Sequence, residues 1–326
     1  MSSCFPGVRP PEDLSLFTSI MSLVLCLVVT IGNSLVLLAV LVDPLKKLRT
    51  PFSYFLVNLT ISDLISGVIT LPLAFVVHNN ERRGKTNIEE QFKAFHVSFY
   101  LSATVSVLSL GALSLDRFVA IRWPIHYRTS LSLKRCFCIS VLIWVLSICI
   151  SLVYLKTGLI EYLMVFVHIA VATTFVLMVV TYRQVYQTLR NRAKQLRAMQ
   201  MSEEFTSVKN EKKVTRAYLF ILALFICSYV PAIIMIYVLQ FCEHCSCEFR
   251  HVLRDLQFLL IASNSAMNPF VCTIRLGPFR RSIIALFCRR KKKETTKTPK
   301  DIALDDNTGK EQAQQVTAVA SLSTTE

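Results

Sequence analysis

The sequence predicts an all-α membrane protein, a bundle of seven transmembrane helices followed by a short amphipathic eighth. Three observations carry that expectation. The 326-residue chain is 53% hydrophobic and only 17% charged, with a mean hydropathy of +0.50, too apolar for a soluble protein of this size. Seven apolar segments, roughly 17–42, 52–77, 92–121, 135–155, 159–182, 217–240 and 252–274, each approach or exceed the ~20 residues that cross hydrocarbon as a helix. Basic residues stand in short blocks after every second segment. Helices rather than an open sheet follow, because lipid offers the backbone no partner but itself.

The formal charge of +15 would suit nucleic acid only if the basic residues shared one soluble face. They do not. Lys46, Lys47 and Arg49 follow the first segment, Arg122, Arg128 and Lys134 the third, and a dense set from Arg183 to Lys213 the fifth; Arg280, Arg281 and Arg289 to Lys293 follow the seventh. The alternate loops are mixed, with Arg82, Arg83 and Lys85 set against Glu81, Glu89 and Glu90. The positive-inside rule then puts the N terminus outside the cell. Residues 1–16 become an extracellular segment, 17–288 the membrane domain with its interfacial helix, and 289–326 a polar, disordered cytoplasmic tail. The N terminus lacks a basic region leading into a brief apolar core and cleavage site, so segment one is expected to be a retained helix.

Taken in order, segment one carries Gly32-Asn33, a polar amide that a helix-helix hydrogen bond worth ~0.6 kcal/mol would explain. Segment two carries Asp63 as its only ionisable side chain, near mid-membrane; such a carboxylate is a functional candidate, or else a neutral acid hydrogen-bonded to neighbours. Segment three holds Ser106 and ends at Asp116-Arg117-Phe118. Each of those charges would cost ~2.5–3.5 kcal/mol in the bilayer centre, so the pair marks an edge. Segment four contains Trp144, and only Lys156-Thr157-Gly158 separates it from segment five, which has Thr174 and Tyr182 but no proline and is expected to run straighter for that lack. The basic residues from Arg183 to Arg197 would suit anionic lipid or the wall of a protein cleft.

Segment six begins after Glu211, which taken alone reads as an exposed loop charge, and contains Phe225, Tyr229 and Pro231; Pro231 interrupts an apolar helix and supplies a kink. The loop Cys242-Glu-His-Cys245-Ser-Cys247 admits zinc, but on an oxidising side a disulfide within the loop, or to Cys4, is the stronger expectation. Segment seven reads Asn264-Ser265-Ala-Met-Asn268-Pro269-Phe-Val-Cys272. After it, Pro278 suits a helix first turn and Phe279, Ile283, Leu286 and Phe287 oppose Arg280 and Arg281, an interfacial helix. Cys288 at its end, beside a basic run, is a palmitoylation candidate.

The run Asp116-Arg-Phe-Val-Ala-Ile-Arg-Trp-Pro-Ile-His-Tyr127, with Asp63, Trp144, Pro231 and Asn268-Pro269 on separate segments, resembles the rhodopsin-like (class A) G-protein-coupled receptors. The resemblance implies a plasma-membrane receptor, not an enzyme, that binds an extracellular ligand and activates a heterotrimeric G protein when the sixth helix swings outward. It assigns Asp116, Arg117, Glu211 and Tyr182 to coupling and to an ionic latch, and Phe225, Tyr229, Pro231 and Pro269 to activation switching. Asp63, Ser106, Asn264, Ser265, Asn268 and Asn33 resemble the family's sodium pocket, so Na+ is the only bound ion implied and no other metal or cofactor is. Arrestin and receptor kinases would act on Ser and Thr of the tail, and membrane lipids would meet the interfacial helix. The cysteine-rich loop, the near-absent connection before segment five, Phe92 where a cysteine is usual and Thr174 where a proline is usual resemble the melanocortin receptor branch. Leu73, Phe92 and His96 stand where that branch places ligand-binding acids, which argues against a melanocortin peptide.

The ligand cavity implied by the resemblance is lined by His96, Phe99, Tyr100, Ala103, Phe166, Tyr229, Ile233 and Phe258. Phe99 replaces the aspartate of amine receptors, and segment seven has no lysine for retinal; the aromatic lining favours a lipid or a small neutral molecule. Two other classes compete with the receptor. A multi-span transporter would show paired inverted halves and broken helices, and no such repeat is visible. An intramembrane hydrolase would need ligands at helical spacing, whereas His96, His168 and His251 stand on separate segments.

Overall fold

A computed structural model describes residues 8–46, 48, 50–85, 88–123, 127, 133–157, 162, 166–198, 202–275 and 277–287, over 202–219 by their backbone. Eight helices account for them. They are α1 (Glu12–Val42), α2 (Pro51–Arg82), α3 (Glu89–Arg122), α4 (Leu133–Thr157), α5 (π-helical over Val167–Ala172, then Thr173–Ala198), α6 (Ser202–Phe241), α7 (Cys247–Arg275) and α8 (Gly277–Phe287). The chain divides into two units, 1–287 and 288–326, and all eight helices lie in the first.

Local chemistry sets the helix ends. Glu12 and Asp13 occupy the first turn of α1, where the helix dipole favours anions. Its last turn closes at Asp43, left-handed at φ 37°, whose carboxylate accepts the Leu48 N–H at 3.2 Å. Thr50 caps α2 by accepting the Ser53 N–H, with Pro51 in the first turn where its missing amide costs nothing. Midway along α2 the turn widens to a π-helix over Ser66–Thr70, just before Pro72, which has no amide to give the helix. At Gly67 the backbone lies against α1: an added Cβ would stand 2.6 Å from Thr30 Oγ1.

Inside the bundle, α3 is the axis. It buries most of its length against α2, α4 and α5, while α1 and α4 turn mainly outward. The ring closes as α7 packs between α6 and α1, and α8 folds back against α1. Leu56, Leu59, Leu110, Leu113, Phe225 and Val271 form the centre of one continuous apolar core. The large apolar side chains left exposed on α1, α4 and α6, such as Ile31, Phe137 and Ile234, make the lipid-facing belt expected of a membrane bundle.

Three expectations change. Helices outrun their apolar segments, so α2 continues past residue 77 to Arg82 and brings His78 and Glu81 into the bundle. Six of the eight helices satisfy both the length and the apolarity of a membrane span; α8 is too short, and α7 is long enough but carries polar residues such as Gln257, Asn264, Ser265 and Asn268 along it. Finally, the absence of proline does not leave α5 regular, since Val167–Ala172 is π-helical directly before Thr174.

Candidate functional site

The last turns of α3 form the first cluster. Asp116 is buried, and one of its oxygens accepts from Arg117 Nε at 2.9 Å while the other accepts from the Tyr127 hydroxyl at 2.8 Å. Arg117 lies over the Phe52 ring at 4.6 Å, so its guanidinium is held by a carboxylate and an aromatic face. Burial and the adjacent Asp116 carboxylate push the Tyr127 phenol upward, which keeps it a donor. Tyr182, near the same end of α5, stacks on Tyr186 at 6.2 Å. Glu211 is on the long first half of α6, and its side chain lies outside the described residues.

At mid-bundle, Asp63 is fully buried and its Oδ2 accepts from Asn268 Nδ2 at 2.8 Å, which ties α2 to α7. Its Oδ1 has no hydrogen-bond partner, and neither has the Ser106 hydroxyl on α3. Asn33 donates to the carbonyls of Val29 at 2.9 Å and Ser265 at 3.2 Å, joining α1 to α7. Asn264 and Ser265 are buried along the same stretch. Beside them Gly32 admits the Pro269 ring, where an added Cβ would come within 2.9 Å. Trp144 Nε1 donates to Asn58 Oδ1 at 3.4 Å, and Phe225 stacks on Tyr229 at 4.4 Å, one turn before Pro231. A small hard cation fits the spare carboxylate and hydroxyl oxygens, since such ions take oxygen ligands.

The opposite end of the bundle is aromatic. His96, Phe99, Tyr100 and Phe258 are buried together, with Phe166 joining through Tyr100, and Ala103 and Tyr229 buried deeper. Ile233 packs against the same core. Sequence reasoning missed Phe95, Tyr154 and Tyr162, which complete this layer: His96 Nδ1 and the Tyr154 hydroxyl are 2.8 Å apart, and the Tyr100 and Tyr162 rings 4.3 Å. It also missed a buried charge cluster. Arg254 on α7 donates through Nη1 and Nη2 to the two oxygens of Glu81, each at 3.0 Å, and through Nε to Asp255 Oδ1 at 2.8 Å. Thr18 of α1 donates to Asp255 Oδ2 at 2.9 Å, and His78 Nδ1 to Glu81 Oε2 at 2.9 Å. Adjacent opposite charges at Arg254-Asp255 inside an apolar segment were the available signal.

In the connection between α6 and α7, Cys242 and Cys245 form a disulfide, and Cys247 is disulfide-bonded as well. Cys4 and the lipidation candidate Cys288 lie outside the described residues, as does the tail. Among the described residues no group of three or more His, Cys, Asp or Glu is placed to hold a metal.

Seven long helices and a short eighth, with an arginine held at one end, a carboxylate with one oxygen committed at the centre and an aromatic layer at the other end, define a seven-helix membrane receptor. The family model of the 7 transmembrane receptor (rhodopsin family) matches residues 32–160 and 155–271, and the chain belongs to that family. It is 36% identical to Dopamine receptor 4 of Caenorhabditis elegans over 129 residues, 39% of this chain and 24% of that protein. It is 33% identical over 153 residues to Olfactory receptor 1D2 of Gorilla gorilla gorilla and of Pan troglodytes, 44% of this chain and 45% of each receptor. The chain thus spans less than half the length of the curated relatives it matches.

Proposed function

We propose that the protein is a plasma-membrane receptor that takes an extracellular ligand into the aromatic end of the bundle and activates a heterotrimeric G protein at the Arg117 end, with the N terminus outside. The observation that carries this reading is the hold on Arg117. Its guanidinium is occupied by Asp116 and Phe52 at the mouth of the helix bundle, so it reaches a partner only when that arrangement gives way. A ligand that prefers the form with α6 swung out about Pro231 shifts the population toward a freed Arg117. Glu211 adds a second latch in that scheme.

The ligand is a lipid or a small neutral molecule. Phe95, Phe99, Tyr100 and Phe258 pack ring on ring at that end of the bundle, and the His96–Tyr154 pair is its polar point. Na+ is the allosteric ion of the closed form, held by Asp63 and Ser106 with Asn264, Ser265, Asn268 and Asn33 around them; it would supply the positive charge that the Asp63 carboxylate otherwise lacks. Palmitoylation at Cys288, phosphorylation of the tail by receptor kinases and arrestin binding complete the reading. The test is a ligand screen in transfected cells read by cAMP and calcium, with the unliganded baseline included. Arg117→Ala is expected to lower G-protein activation at least about tenfold, the equivalent of ~1.4 kcal/mol. Unchanged activation would refute the coupling role.

A further inference from the structure

We propose that Phe92 and Arg254 form a gate over the aromatic end of the bundle, fixed on the α7 side and movable on the α3 side, through which a ligand reaches the rings beneath. The direction of the two helices places it. Both α3, from Glu89, and α7, from Cys247, start at that end, so Phe92 stands one turn before Phe95 and His96, and Arg254 one turn before Phe258. Beneath, rings meet across the α3–α7 seam: Phe95 and Phe258 are edge to face at 5.0 Å, Phe99 and Phe258 at 5.3 Å. Over them the Arg254 guanidinium lies 5.6 Å from the centre of the Phe92 ring, and that ring is 5.7 Å from His96. Anything that enters between α3 and α7 has to part this contact.

The two halves differ in freedom. A guanidinium donates along its edge and stacks on its face, and Arg254 does both. Its edge is held by α2 and α7, through Nη1 and Nη2 to the Glu81 carboxylate at 3.0 Å and through Nε to Asp255 Oδ1 at 2.8 Å. Thr18 of α1 holds the other Asp255 oxygen, so the cation is fixed from several helices. Phe92 is half-buried in the first turn of α3, and its ring is held by ring and cation contacts alone, which are weak at a partly exposed site. The flank toward α1 and α2 is covered differently: the Val8 carbonyl accepts from His251 Nε2 at 2.9 Å, and Arg9 fills the space that a side chain at Gly84 would take. Phe92 is therefore the leaf that yields, and its bulk sets the size of what passes.

That a ligand uses the gate rests on the receptor reading above, whereas the gate itself is tested on the purified full chain in detergent. Ala103 is buried on α3 one turn past Phe99, so Ala103→Cys reports passage by its rate of modification with benzyl methanethiosulfonate, resolved cysteine by cysteine by mass spectrometry. Adding Phe92→Ala should raise that rate about fivefold, the worth of a partly exposed cation–π contact. Phe92→Leu, which keeps apolar bulk and loses the ring face, should raise it about twofold and serves if Phe92→Ala does not fold. The smaller methyl methanethiosulfonate should gain less from Phe92→Ala than the benzyl reagent. The buried native thiol Cys272, near the other end of α7, should keep its rate in every variant. An unchanged rate at Ala103→Cys in the Phe92 variants, an equal gain for the two reagents, or an equal rise at Cys272 through general loosening would overturn the gate. In transfected cells, tethering the benzyl group at Ala103→Cys should change G-protein activation relative to the parent chain treated alike. Faster modification in detergent with no change in activation would keep the gate and reject the aromatic end as the ligand site.

Discussion

At the scale of single residues, Asp116 does the most with one group, since its two oxygens serve Arg117 and Tyr127 from a buried position. Hydrogen bonds to a charged acceptor are worth ~1.5–3 kcal/mol, and the partial exposure of Arg117 discounts this pair to somewhat below that range. Asp116→Asn keeps the shape and removes the charge. Unliganded nucleotide exchange on G protein in membranes should rise between about fivefold and tenfold, for a loss of ~1–1.4 kcal/mol. Asp63 is the complementary case, a buried carboxylate with one oxygen committed to Asn268 and one uncommitted. If Na+ occupies that oxygen, Na+ should raise the unfolding midpoint of the parent protein and leave Asp63→Asn unaffected, because an amide oxygen brings no negative charge. Equal responses in the two would remove the ion from the scheme. Both residues were visible in the sequence for the same reason: a charge within or at the edge of hydrocarbon is expensive enough to stand out without any knowledge of its neighbours.

At the scale of helices, the least legible parts were those that lie beyond the apolar runs. Glu81 read as a loop charge and His78 and Arg250 drew no reading, because they lie outside the apolar runs, yet α2 and α7 extend through these positions and bury them. Backbone hydrogen bonding carries a helix onward when its polar side chains find each other, and which ones meet is decided by packing across α1, α2 and α7. The π-turns were invisible for a related reason, since neither Ser66–Thr70 nor Val167–Ala172 has a composition that marks it. The α2 turn has a measurable consequence. It brings Gly67 so close to α1 that an added Cβ would meet Thr30 Oγ1 at 2.6 Å, Val29 Cγ1 at 3.1 Å and the Thr30 backbone nitrogen at 3.2 Å. Gly67→Ala should therefore lower stability by about 1–3 kcal/mol, the usual cost of overpacking. Thr30→Ala in the same chain should recover part of that loss, because it removes the nearest atom but not the backbone contact. Denaturation midpoints of the two single variants and the double variant would display the coupling, and strict additivity would show that the two sites do not press on each other.

At the scale of the whole molecule, the bundle order was readable because seven apolar runs and their alternating basic blocks constrain a membrane chain almost completely. What they could not give is the depth of each contact, for instance that one buried tie joins Thr18, Glu81, His78, Arg254 and Asp255 at the end opposite Arg117. The two ends are joined through α3 and through α7, which carries Arg254 and Asp255, then Asn268 opposite Asp63, then Pro269 against Gly32. A molecule so arranged has a direction, and the proposed function requires that direction to be the positive-inside one. Arg83, between α2 and α3, and Arg122, at the far end of α3, are both exposed and lie at opposite ends of that helix. In intact cells a membrane-impermeant maleimide should label Arg83→Cys and reach Arg122→Cys only after permeabilisation. The native thiols Cys138, Cys149 and Cys227 are exposed along apolar helices facing lipid, so each signal is read as the increment over the parent chain. Labelling in the reverse order would place the Arg117 cluster outside the cell, where no G protein could reach it, and the assignment of ligand and transducer to the two ends would have to be exchanged.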